Sequence, residues 1–523
     1  MAAPDDRRSV WRRLTLGGAA LAAAALLAGC SLIPGLGGAG GGSDPKLPAK
    51  PTGDAQSFQE QEPEWQPCAS GMRCADVYAP LDWSEPEGET ITLRLVKSEA
   101  TGGVKKLGTL FVNPGGPGAS GAEYVANAVE HAVSADVRAA YDVIGWDPRG
   151  VGNSAPVECL DTKGMDEYLY GDDAETADLE RGSDAWIDAA RAQAKEFAQA
   201  CEERNGDLLA HVATSDTVQD LDMLRGIVGD AKLNYLGFSY GTYIGARYAD
   251  AYPERVGRLV LDGAMDPEAT MRDVVREQTI GFENALRAYT TDCLQRRGCP
   301  LTGSVDEAMA QIGALLDRVD ANSLTGKDGR TVSSGVALTA IVFPLYSQEM
   351  WGYFDQLFTS LAVDDPEMAL ILADAYNDRQ DGEYQSNSTE AFSAINCLDY
   401  PNELDVQRMR DDAAELAQIA PTIGRYQGYG DISCAEWPVQ GVAERTPVTA
   451  AGADPILVVG TTGDPATPYR WAESLATQLE SGTLVTYVGE GHTAYTTSSC
   501  VGEVVDAYFL DGTVPAADPR CTV

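Results

Sequence analysis

Histidine is nearly absent from this chain: it occurs three times in 523 residues, at His131, His211 and His492. A zinc centre built on several imidazoles has almost nothing to draw on. Cys293 and Cys299 stand at a spacing that metal sites use, but no histidine is near them, so no metal is expected and no other cofactor. Positive charge is also short. Lys and Arg number 38 against 79 Asp and Glu, for a formal net charge of −41. Nucleic acid would be repelled by such a surface and is excluded as a partner. No internal repeat is apparent. The low-complexity run from Gly35 to Pro51 is rich in Gly, Pro and Ser. It reads as a flexible tether and not as a phosphate loop.

What is present at the N-terminus is an export signal. Arg7, Arg8, Arg12 and Arg13 precede an alanine-rich apolar stretch from Leu14 to Ala28. That stretch is too short to argue for a retained membrane helix. Leu27-Ala28-Gly29-Cys30 resembles a bacterial lipobox, which implies that Cys30 becomes a lipid-bearing first residue and anchors the chain to a membrane. Trp11 to Leu16 has a fainter likeness to a twin-arginine signal. Residues 1–29 are therefore read as a signal peptide and 30–56 as the tether, on an exported protein. Of the 11 cysteines, setting Cys30 aside leaves an even number, as expected of a disulfide framework outside the cytoplasm. Spacing does not fix connectivity. Pairing nearest neighbours gives Cys68–Cys74, Cys159–Cys201, Cys293–Cys299, Cys397–Cys434 and Cys500–Cys521.

The most telling residues are Gly237-Phe238-Ser239-Tyr240-Gly241. They follow the apolar run Leu233 to Leu236 and open onto a helical pattern from Thr242 to Ala249. A G-x-S-x-G in a strand–turn–helix context makes a nucleophile elbow. A serine hydroxyl is a weak nucleophile without a base and an oxyanion site. His492, in the loop after the strand-like Thr483 to Val488, is the expected base, because His131 and His211 both precede Ser239. Asp464 follows the β-branched run Pro455 to Gly460 and is the expected acid that holds the imidazole. Asp454 opens that strand, at the wrong end for catalysis. Thr109 to Val112 reads as a buried strand leading into Asn113-Pro114-Gly115-Gly116-Pro117-Gly118. The expected oxyanion donors are the Gly116 N–H from this loop and the Tyr240 N–H after the nucleophile.

Four blocks now carry a family resemblance: Asn113 to Gly118, Asp147-Pro-Arg-Gly-Val-Gly-Asn-Ser154, Gly237 to Thr242, and the Asp464/His492 segment. A fifth joins Ile395 to Asp399 with Cys434 to Pro438. The chain resembles the α/β-hydrolase peptidases of the prolyl iminopeptidase and tripeptidyl aminopeptidase group, nearest the secreted actinobacterial tripeptidyl aminopeptidases. Prolyl iminopeptidases have histidine before Gly-Gly-Pro-Gly; Pro114 stands there in this chain, which favours the tripeptidyl branch. The resemblance implies a doubly wound, mostly parallel sheet with an inserted, mainly helical cap. It also implies serine exopeptidase action on peptide substrates.

The periodicity fits that plan. Residues 57–267 read as the first part of the α/β core, with strands near Ile91, Thr109, Tyr141, Leu233 and Arg258. Residues 268–445 are helical in pattern and read as the cap. Residues 446–523 return to the core. Asp147 and Arg149 are expected to brace loops beside the site. An aminopeptidase must read a cationic amino terminus, and a partly buried carboxylate does so well. Asp399, Glu436 and Glu349 are the candidates. A monomer is expected. A carboxylesterase with the same triad is the alternative, and a non-catalytic solute-binding lipoprotein a remoter one.

Overall fold

The computed structural model describes residues 45–68, 71–171, 179–402, 404–441 and 445–522. The signal segment, Cys30 and the first part of the tether lie outside the described residues. Ten strands form one sheet: β1 (Gln66–Pro67), β2 (Arg73–Pro80), β3 (Thr90–Ser98), β4 (Gly108–Asn113), β5 (Tyr141–Trp146), β6 (Leu233–Phe238), β7 (Val256–Asp262), β8 (Ile456–Gly463), β9 (Gly482–Glu490) and β10 (Arg520–Thr522). Their order is β1-β2-β3-β5-β4-β6-β7-β8-β9-β10. From β5 to β10 every pairing is parallel, and β1 to β3 form an antiparallel edge.

The central strands read as unbroken apolar runs because helices cover both faces. Alternate side chains separate cleanly. Phe111, Ile144, Tyr235, Leu259 and Val458 enter one core, while Leu110, Val143, Leu236, Val260 and Val459 enter the other. Strand β4 lies between β5 and β6, so the chain leaves it in opposite directions on its two sides. Such a switch point opens a crevice at the carboxyl ends of the strands. Asn113, at the end of β4, pairs in register with Gly237, two residues before Ser239.

The segment between β7 and β8 is helical apart from two small hairpins, at 324–332 and 379–384. Phe282, Tyr289, Ile312, Ile341 and Phe354 build a core of its own. Its helix Ser388–Asp399 behaves differently: Ala391, Ala394, Ile395 and Leu398 pack into the sheet's core instead. All five nearest-neighbour disulfides are present. The chain between β4 and β5 forms two helices, Gly121–Ala132 and Ala135–Ala140. Ser134 breaks the run by accepting from the Val137 amide to cap the second. Among the described residues no helix is long and apolar enough to cross a membrane.

Candidate active site

Ser239 sits between β6 and the helix Tyr240–Ala251 at φ 54°, ψ −125°. A non-glycine residue rarely occupies that region, and only a tight surrounding holds it there. The glycines on either side provide the tightness. A Cβ on Gly237 would stand 2.4 Å from the Gly241 carbonyl oxygen, and one on Gly241 would stand 2.7 Å from that of Asn113. The Ser239 amide donates to the Asp262 carbonyl at 2.9 Å, which ties the elbow to β7.

His492 is 5% exposed, in the loop after β9. Its Nδ1 lies 2.9 and 3.0 Å from the two Asp464 carboxylate oxygens and 3.2 Å from Thr467 Oγ1. Asp464 is itself held, accepting from the Ala466 and Thr467 amides at 2.9 and 2.8 Å and from the Thr467 hydroxyl at 3.0 Å. With Nδ1 donating to Asp464, the lone pair of a neutral imidazole is on Nε2. Nε2 is buried and has no hydrogen-bond partner among the described residues. Burial opposes protonation of the ring, but the charge and hydrogen bond of Asp464, with the charge of Asp262, outweigh it and raise the His492 pKa above its usual value.

Asp262, at the end of β7, is fully buried and was not among the residues the sequence singled out. Its carboxylate accepts from the Ala494 amide at 3.0 Å and the Tyr495 amide at 2.8 Å, fixing the loop just past His492. Burial pushes it up to about 6, against the opposing backbone hydrogen bonds.

Gly116 is exposed in the loop after β4 and lines the same cavity as Ser239 and His492. Tyr240 opens its helix, so its N–H has no partner four residues back. A Cβ on Gly115 would lie 2.5 Å from the Phe238 carbonyl and 2.9 Å from the Tyr240 nitrogen, so the loop rests directly against the elbow. Behind it, Asp147 accepts from Ser120 Oγ and the Ala122 amide, and the fully buried Arg149 makes a two-pronged pair with Asp220 at 2.7 Å.

The cavity measures about 490 Å³, within the range of small-ligand sites. Phe282, Leu338, Val342 and the exposed Phe392 give it an apolar wall. None of the three acidic candidates lines it. Asp399 accepts from the Thr214 amide at 2.9 Å and the Thr214 hydroxyl at 2.5 Å, so its charge serves the start of helix Thr214–Ile227. Glu436 is paired with Arg191. Glu349 is exposed on a short turn, Gln348–Met350. The carboxylates that do line the cavity are Glu123 and Asp378. Glu123 had a signal in its position, close behind the glycine-rich loop; Asp378 had none. Among the described residues no three His, Cys, Asp or Glu side chains are placed to hold a metal ion.

Comparison with known proteins agrees with this geometry. The family described as TAP-like protein matches residues 420–521. The protein named serine protease Hip1 of Mycobacterium tuberculosis is 35% identical over 539 residues, covering 99% of this chain and 99% of that protein. The chain belongs to the TAP-like family of α/β-hydrolases. Two more relatives bracket the chemistry of this TAP-like chain. One, named carboxylesterase B, also of Mycobacterium tuberculosis, is 34% identical across 98% of this chain and 99% of its own length. The other, named tripeptidyl aminopeptidase, of Streptomyces lividans, is 30% identical across 88% of this chain and 86% of its own. The TAP-like chain is a serine hydrolase.

Proposed function

We propose that the chain is an exported serine exopeptidase that releases short peptides, tripeptides by preference, from free amino termini. The observation that carries this is the buried His492, clamped to Asp464 through Nδ1 and presenting an unpartnered Nε2 to the cavity that Ser239 lines. In this reading Ser239 attacks the scissile carbonyl as His492 takes its proton, and the developing oxyanion meets the Gly116 and Tyr240 N–H groups. The imidazolium then protonates the leaving amine, and water repeats the sequence to free the acyl fragment. Export and a lipid anchor at Cys30 belong to the same proposal. They rest on the signal and lipobox residues and on the cysteines paired as in exported proteins. So does action as a monomer.

The esterase reading has a whole-length relative's name in its favour. Hydrolysis of a tripeptide chromogenic amide with a free terminus, beside its N-acetyl form and a short acyl ester, decides between them. Preferential release of the intact, free-ended tripeptide is the expected result. Equal cleavage of the acetylated peptide, or cleavage of the ester alone, overturns the exopeptidase reading.

A further inference from the structure

The catalytic cavity has a second charged end. Its described lining includes no Lys or Arg, and its only carboxylates are Glu123 and Asp378. They come from different parts of the fold. Glu123 stands in the first turn of helix Gly121–Ala132, directly after the glycine-rich loop, with its amide capped by Ser120 Oγ at 2.9 Å. Asp378 lies in the helical insertion, between helix Glu367–Tyr376 and the hairpin strand Arg379–Gln380. It is 4% exposed and held at φ 56°.

The two placements have independent supports. Asp147 fixes the start of the Glu123 helix through Ser120 and Ala122. The Gln385 amide donates to the Asp378 carbonyl, closing the hairpin beside it. Among the described residues no donor is bonded to the Glu123 carboxylate. Burial and the charges of Asp147 and Asp378 push that carboxyl up to about 7. Such a group gains most from a cation brought in by a ligand. That a ligand enters here is indicated separately by the buried, unpartnered His492 Nε2 in the same cavity.

We propose that Glu123 and Asp378 together bind the terminal ammonium of the peptide substrate and so select free amino ends. An ammonium has three donors, and two carboxylates lining one cavity suit it well. Because one carboxylate is on the core and one on the insertion, a bound ammonium also joins the two parts across the cavity. The apolar wall at Phe282, Leu338 and Val342 is left for the substrate's side chains. This assignment rests on the exopeptidase reading above.

The test uses the mature enzyme and its E123Q and D378N variants. For each, kcat and KM are measured on a free tripeptide chromogenic amide and on its N-acetyl form. Folding is followed by the melting curve and by titration of the reactive serine with a fluorophosphonate. The wild type is expected to prefer the free terminus. Each variant is expected to lose about 10- to 100-fold of that preference, through a higher KM for the free peptide. Two separate variants guard against one failing to fold. If both folded variants keep the wild-type preference, the two carboxylates are not the reader while the exopeptidase reading stands. If the wild type itself shows no preference, the exopeptidase reading falls and this assignment falls with it.

Discussion

Asp464, behind the cavity-lining His492, and Glu123, in the cavity's own lining, are both carboxylates, yet the protein treats them in opposite ways. Asp464 receives three backbone amides, a threonine hydroxyl and the His492 ring. Glu123 is bonded to no donor among the described residues and is pushed up to about 7. The difference follows from where the partner charge comes from. In the proposed mechanism an imidazolium forms at the Asp464 end, on a group of the enzyme's own, so the dipoles that stabilise it must be in place beforehand. At the Glu123 end, on the proposed assignment, the substrate brings the charge, and any internal donor would compete with it. On that proposal one end is organised for the transition state and the other for recognition. Changes at the first should lower kcat, and changes at the second should raise KM.

The largest effect belongs to Ser239→Ala. Turnover of any amide or ester is expected to fall by about 10⁶-fold, as when a triad nucleophile is removed elsewhere. The melting temperature should not drop, because alanine keeps the small Cβ at that strained position. Residual turnover within tenfold of wild type would mean that the elbow is not where the bond breaks.

Asp464→Asn comes next, with a fall in kcat of about 10⁴-fold. The pH profile adds a second readout. In the proposed mechanism neutral His492 is the base, and Asp464 holds its pKa above the usual value near 6.5. Activity of the wild type should therefore fall away on the acid side with a midpoint above 6.5. Removing the carboxylate charge leaves burial as the main influence, which lowers the imidazole pKa, so the midpoint of the residual activity should move to lower pH. A midpoint that stays in place would mean that another group sets the profile.

Gly115→Ala is a smaller, steric break at the same end. The added Cβ would be 2.5 Å from the Phe238 carbonyl and 2.9 Å from Ser239 Cβ, both much closer than contact allows. The loop must withdraw from the elbow, and the Gly116 N–H with it. A loss of about 10²-fold in kcat is expected, with KM for the free tripeptide nearly unchanged. A rise in KM alone would blur the division between the two ends.

The two ends also differ in how far the sequence discloses them. The Ser239 elbow, the Asp464 and His492 loops and the glycine-rich loop each follow an apolar β-branched run, and residue order alone assigns their parts. Their neighbours in space are set by strand order, which local pattern does not record. Asp262 carries no local signal, and it clamps the histidine loop because β7, β8 and β9 lie side by side. Strand β2 was missed because Arg73, Asp76 and Pro80 interrupt its apolar pattern, as an antiparallel edge position permits. The acidic candidates failed for a related reason. Asp399 lies in the Ile395 to Asp399 block that carries part of the family resemblance, but its charge is spent on Thr214, nearly two hundred residues earlier in the chain. Glu123 and Asp378, 255 positions apart in the chain, share a cavity only after the insertion folds over the sheet.

That folding-over has a seam that can be weakened without touching the chemistry. Helix Ser388–Asp399 packs into the sheet's core, and its buried Glu390 accepts from the Cys159 amide at 2.7 Å and the Leu160 amide at 2.9 Å. Glu390→Ala leaves those two amides without their acceptor in a region closed to water. A loss of about 1–3 kcal/mol in stability is expected, read as a lower urea midpoint with the disulfides intact. Glu390→Gln keeps an acceptor oxygen and should lose less. Burial raises the Glu390 pKa against the pull of those two amide hydrogen bonds. If the glutamine variant were as unstable as the alanine one, the charge would be the essential part.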